Sequence, residues 1–122
     1  MPVIIANKNE YTGSVTPSAL NTETTVVEFA NVGNTYITEG YIDLGNLASG
    51  DAVIITEYIA VDGVNYRIFN QVTFQNAQSQ PIIRFHAKTF TSNMKHKITI
   101  NQTAGTLRSF PYSFVQEIMG VV

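Results

Sequence analysis

The chain contains two histidines, His86 and His96, and no cysteine, so imidazole is its only side chain suited to neutral-pH proton transfer. Nucleophilic catalysis would need one of them beside a serine, with an acid to orient the ring. No Gly-x-Ser-x-Gly elbow is present to present such a serine. His86 stands in the alternation Arg84, His86, Lys88, with Ile83, Phe85 and Ala87 between. On a strand, this places three polar groups on one face. Neighbouring cations would push a base there towards its neutral form, and the simpler reading is a solvated positive stripe. No catalytic residue is therefore expected, and the chain is read as non-enzymatic.

Other site chemistries fail on spacing. Asp43, Asn46 and Asp51 flank Gly45-Asn46-Leu47-Ala48-Ser49-Gly50 and could offer oxygen ligands to calcium, but these are also ordinary turn residues in no calcium-loop order. Neither Gly-x-x-x-x-Gly-Lys nor Gly-x-Gly-x-x-Gly occurs, so no phosphate cradle is expected. The expectation is no cofactor and no metal. Arg84, Lys88, Lys95 and Lys97, with Phe85 and Phe90, resemble a single-strand binder's basic strip. The net charge of −2 opposes that reading, so no nucleic-acid partner is expected. A sugar platform works best with tryptophan, which is absent, and Phe110, Tyr112 and Phe114 at period two are read as core or interface. Tyr36 and Tyr58 lie on other segments, and Asn101-Gln102-Thr103 is a lone sequon read as chance.

The elements that must position these residues are strands. Runs rich in Val, Ile, Thr, Tyr and Phe alternate at period two between Gly, Asn, Asp and Pro clusters. The pattern predicts eight strands: Tyr11 to Thr16, Glu23 to Ala30, Thr35 to Leu44, Ala52 to Val61, Val64 to Gln75, Pro81 to Phe90, Lys95 to Asn101 and Thr106 to Gln116. Helix is expected only as a turn near Glu117 to Gly120. The implied fold is all-β, a single antiparallel sandwich over residues 1–122, jelly-roll or immunoglobulin-like. Asp62-Gly63 predicts a two-residue type I′ hairpin turn, setting Ile59 opposite Tyr66, Glu57 opposite Ile68 and Ile55 opposite Asn70. That face is the more apolar and should look inward. Glu57 and Asn70 interrupt it, and water reaching them at an edge or bulge is the expected remedy.

Charge is sorted along the chain. Residues 1–62 hold eight acids against Lys8, and residues 63–122 hold six bases against Glu117, giving −7 and +5. Such polarity suits copies or neighbours that meet acidic face to basic face. The tail Ile118-Met119-Gly120-Val121-Val122 is apolar and is expected to close the sandwich as an edge strand or to dock on a neighbour. The apolar run after Met1 stops at Asn7, too short for a signal-peptide core or a membrane span. A soluble product made in the cytoplasm, with no membrane partner, is the corresponding expectation.

The stretches Gly40 to Asp51, Val61 to Arg67 and Gln102 to Tyr112 resemble small virion structural proteins. These are the single-domain β-sandwiches of phage, archaeal and environmental viruses that decorate or cement a capsid. The resemblance covers about two-thirds of the chain as a pattern of turns and strands, and it transfers no functional residue. It implies a virion protein, a capsid decoration or minor capsid subunit bound to the major capsid lattice or to its own copies as a homo-oligomer. The residues expected to make the contact are Arg84, His86, Lys88, Ile118, Met119, Val121 and Val122. The alternative reading is a glycan- or cell-surface-binding module, as in a receptor-binding tip or adhesin.

Overall fold

A computed structural model describes residues 3–30 and 33–121. Eight strands follow one another: β1 Val3–Val15, β2 Thr24–Phe29, β3 Tyr36–Asp43, β4 Ala52–Ala60, β5 Arg67–Gln75, β6 Ile82–Phe90, β7 Lys95–Ala104 and β8 Phe110–Val121. They form two antiparallel four-stranded sheets, ordered β1-β8-β3-β6 and β2-β7-β4-β5. This is the order of two Greek keys wound together, the jelly roll of the two architectures expected. Every one of the six strand pairings joins a strand of the first half, β1 to β4, to one of the second half, β5 to β8.

That winding corrects the expectation of an acidic and a basic face. Because acidic-half and basic-half strands alternate within each sheet, unlike charges become cross-strand neighbours. Glu28 lies opposite Lys97, Asp51 binds Arg108 at 2.8 Å, and Glu57 binds Lys88 at 3.0 Å. The two exceptions to the sorting also meet, since Lys8 is in register with Glu117. Much of the sequence polarity is thus neutralised within the fold.

Three sequence expectations need correction. The chain ends are strand: β1 begins at Val3 rather than Tyr11, and β8 runs through residues 117–120, where a helical turn was expected. The apolar tail is no edge strand either, because β8 lies between β1 and β3. Thirdly, the hairpin turn is not type I′. Of Asp62 and Gly63, only Gly63 has positive φ, at 77°, and its N–H bonds Ala60 O at 3.2 Å. The Asp62 carboxylate accepts from the Val64 and Asn65 N–H groups at 2.9 and 2.7 Å, which prolongs the loop. Tyr66 leaves the ladder and donates to Glu28 at 2.6 Å. Ile55 therefore opposes Val72, and Glu57 opposes Asn70. From Ala52 to Glu57 the displacement is two residues, which keeps side chains on their faces, so Val53 and Ile55 still point into the core. Beyond a bulge between Glu57 and Tyr58 it is one residue, so Ile68, expected on the inward face opposite Glu57, pairs with Tyr58 and is 58% exposed, and Ile59 opposes Arg67 rather than Tyr66.

The core joins Val26, Val27 and Phe29 of β2, Tyr36 and Ile42 of β3, Val53 and Ile55 of β4, Phe85 and Phe90 of β6, Ile98 and Ile100 of β7, and Phe110 and Phe114 of β8. Phe110 and Phe114 are buried there, with Tyr112 packed against the cluster, as their spacing implied. Gly40 admits this packing: a Cβ on it would stand 2.3 Å from Phe114 Cδ1 and 2.5 Å from the Ser113 carbonyl oxygen.

A polar belt crosses this apolar core. Asn9, Gln116, Thr38 and Lys88 lie in one row across the first sheet. Gln116 Oε1 accepts from Asn9 Nδ2 at 3.1 Å and from the Tyr11 hydroxyl at 3.3 Å. From the second sheet, His96 places Nδ1 3.0 Å from Thr38 Oγ1 and Nε2 2.7 Å from Glu57 Oε2. An ionised carboxylate only accepts, so Nε2 donates to Glu57, and the rotatable Thr38 hydroxyl can donate to Nδ1 or accept from it. The His96 ring is stacked between Phe29 and Phe90, with centroids 5.5 and 4.9 Å away. His96 is thus a structural link between sheets. Glu57, expected to meet water, is only 4% exposed and is satisfied by side chains instead.

Burial resists ionisation of Glu57, but hydrogen bonds from His96 and Lys88, reinforced by charge, outweigh it and hold the carboxyl below its ordinary 4.5. A carboxyl shifted down on folding stabilises the native state above its unfolded pKa and stops doing so as the pH falls through its native one. Glu57→Gln should therefore lower unfolding free energy near neutrality by about 1–3 kcal/mol. The gap between wild type and variant should close in acid; denaturant titrations across pH 2 to 7, a window of about five units around carboxyl titration, provide the check. Gly40→Ala should cost about 1–3 kcal/mol by overpacking Phe114, read as a lower denaturation midpoint.

Candidate protein-binding interface

The second half of the chain supplies one open side of the sandwich. β5 and β6 are the outer strands of the two sheets, and their side chains line a shared cleft of about 260 Å³. Its walls are largely apolar, with Ile55, Phe69, Val72, Phe74, Ile83 and Phe85, while Arg84, His86 and Lys88 supply polar groups on the β6 side. Phe69 is 57% exposed, and outside the cleft Ile68 on β5 is 58% exposed and Ile82 on β6, beside Tyr41 and Tyr112, is 55% exposed. Exposed apolar groups beside unpaired strand edges are features of association surfaces.

The expected stripe Arg84, His86, Lys88 is broken by a bulge. Thr38 pairs with Lys88 and Gly40 with Phe85, so His86 and Ala87 together oppose the single residue Glu39. The extra residue reverses the alternation beyond it. Arg84 and His86 remain exposed, while Lys88 turns inward to Glu57, donates to the His86 carbonyl at 2.9 Å and lies 5.4 Å from the Phe69 ring centre. The structure thus separates Lys88, a member of the core belt, from two outward groups at the cleft. Arg67, on β5, is a further exposed cation on this side.

The apolar tail is positioned differently from the cleft. Ile118 packs against the core, and Met119 donates its N–H to Thr35 O at 2.9 Å. Val121 is paired in β8 with Val3, and Val122 lies outside the described residues. Sequence reasoning missed Phe69, Val72 and Ile82. For Phe69 and Val72 the signal was available: in Arg67-Ile-Phe-Asn-Gln-Val-Thr-Phe-Gln75, apolar residues fall on both faces, unlike a strand with one wet side.

Elsewhere, the groups considered as ligands serve the fold. Asp43 Oδ1 accepts from Gly45 N–H at 2.7 Å. Asp51, 2% exposed, accepts from Ala48 N–H at 2.9 Å, Thr106 N–H at 3.1 Å and Arg108 Nε at 2.8 Å. The Arg108 hydrogen bond, opposed by burial, leads the effects that lower the Asp51 pKa. Asn46 Nδ2 donates to Ser109 O at 2.7 Å. These bonds tie the loop after β3 to the one before β8. On the outer face of the second sheet, Tyr58 donates to Glu23 at 2.5 Å, and Lys97 Nζ sits 5.1 and 4.5 Å from the Tyr58 and Tyr66 ring centres. Those rings already carry a cation of the same chain.

No protein-family model matches the sequence, and no curated protein matches it. Among solved structures, the fold is similar to a Bacillus endospore appendage subunit from a family of disulfide-linked pili, with 15% identity and a TM-score of 0.58 over 95% of this chain and 88% of that one. It is also similar to VP2 of infectious bursal disease virus in a subviral particle, with 14% identity and a TM-score of 0.51 over 92% of this chain and 32% of the other. T=1 particles derived from that virus give 15% identity and 0.51 over 96% and 31%. The chain spans about a third of the viral chains. At these identities the likeness is one of fold: an eight-stranded antiparallel sandwich shared with a viral capsid protein and a pilus subunit, and not peculiar to phages.

Proposed function

We propose that this chain is a non-enzymatic structural protein of a virion, a capsid decoration or minor capsid subunit that binds a protein lattice through the β5/β6 side. The observation that carries the reading is the open cleft with its apolar walls, exposed Phe69, and outward Arg84 and His86, with Arg67 further along β5. Apolar area of this kind supplies affinity, while rim cations orient an acidic partner and add little singly, about 0–1 kcal/mol each. The fold itself is one used by proteins of a virus particle and of a pilus. The pili are disulfide-linked, whereas these 122 residues include no cysteine, so the proposed contacts are noncovalent and salt-sensitive.

Cross-linking and cryo-EM of the native source material would identify the neighbour. The expected result is a particle protein against β5 and β6; recovery of the chain outside any particle would refute the reading. Replacing Arg67 and Arg84 by Glu should lower affinity for that particle about tenfold or more. Both side chains are exposed, so thermal stability should stay within about 0.5 kcal/mol. Unchanged affinity would remove the basic rim from the account.

A further inference from the structure

The strand order that neutralises charge between neighbours leaves it unbalanced at the rims. β1 and β2 are the outer strands opposite β6 and β5. They share one side of the sandwich, as the Tyr11 and Phe29 rings show by meeting edge-on at 5.2 Å. Both come from the acidic half of the chain, and this side exposes Glu10, ion-paired with Lys8 at 3.0 Å, together with Glu23 and Glu28, which accept from Tyr58 and Tyr66 on the outer face of the second sheet. The opposite side comes largely from the basic half and exposes Arg67 and Arg84, with Asp62 of the β4–β5 turn beside Arg67, its Lys88 being held by Glu57. Each side also offers aliphatic surface. Val3, Ile4 and Ile5 are 69%, 41% and 55% exposed, against Ile68 at 58% and Val72 at 40% across the molecule.

We infer that the occupant of the β5/β6 side is a second copy of this chain, seated by its β1/β2 side, so that copies join head to tail. The inference rests on the reading of the β5/β6 side as a protein-binding surface and names its partner. Charge selects this arrangement over a two-fold dimer, because like sides would set Arg67 and Arg84 against their own counterparts. It also brings aliphatic strand edge to aliphatic strand edge, hiding backbone groups that an edge strand leaves unpaired. A contact between two different surfaces leaves one of each free at the ends of every oligomer. Growth is therefore open unless the rotation between copies closes a ring.

Sedimentation velocity and negative-stain microscopy over a range of concentration and salt test this directly. Wild type should form a ladder or ring whose mean mass rises with concentration and falls with salt. The double variant Arg67→Glu with Arg84→Glu, and separately Glu10→Lys with Glu28→Lys, should each remain monomeric with cooperative thermal unfolding. Mixed in equal amounts, they should associate again, because each retains one native side and the reversed sides are mutually complementary. A wild type monomeric at every soluble concentration, a two-fold dimer, or a mixture that stays monomeric would overturn the inference. The particle-binding measurement is separate: a monomer that still binds a particle refutes only self-association, whereas a self-associating chain found with no particle refutes only the virion role.

Discussion

A buried carboxylate with partners on both sheets sets the terms for the rest of the structure. Glu57 stands on β4, receives His96 from β7 in its own sheet, and receives Lys88 from β6 in the other. His96 in turn reaches Thr38 on β3. Apolar packing alone is non-directional and tolerates sliding of one sheet over the other. A charge that must be matched in the interior does not, since an unpaired partner left there is costly. The belt therefore fixes the relative placement of the two layers while the phenyl rings around it provide the area.

The same carboxylate shapes the exterior. The bulge at His86 and Ala87 is what delivers Lys88 to it, and by doing so leaves Arg84 and His86 as the outward groups beside the cleft. A core requirement thus determines which cations a partner meets. The floor of the cleft includes Glu57 itself, so the assembly surface and the link between sheets are one continuous piece of structure.

Strand number and type were legible because they depend on local alternation and turn residues, which a single stretch of chain displays. The inward face of β4 was legible for the same reason, and the displacement of the hairpin by two residues preserved it. Glu57 was visible as a polar interruption of an apolar face, but His96 was not visible as its partner, because 39 residues separate them and only the pairing of β4 with β7 brings them together. The reversal at Lys88 escaped because nothing in Arg84-Phe-His-Ala-Lys88 distinguishes a bulged strand from a regular one; the mismatch is with Glu39 on another strand. The charge sorting was read correctly as a sequence fact and wrongly as a spatial one. Interleaving cancelled most of it and left a remainder on the outer strands.

The pairings β4 with β5, β3 with β6, β2 with β7 and β1 with β8 are nested, each enclosing the one before. Only the innermost is local in sequence, closed by the short loop around Asp62 and Gly63; the outermost sets Val3 beside Val121. Loop-closure entropy favours the short loop first, and each completed pair shortens the free chain that the next must close. Such a topology is expected to mature from the middle of the sequence outwards and slowly, on the millisecond-to-second scale of non-local β proteins. The outer strands that carry the rim charges would then be the last to form, so the surfaces proposed for association would be completed only after the core beneath them.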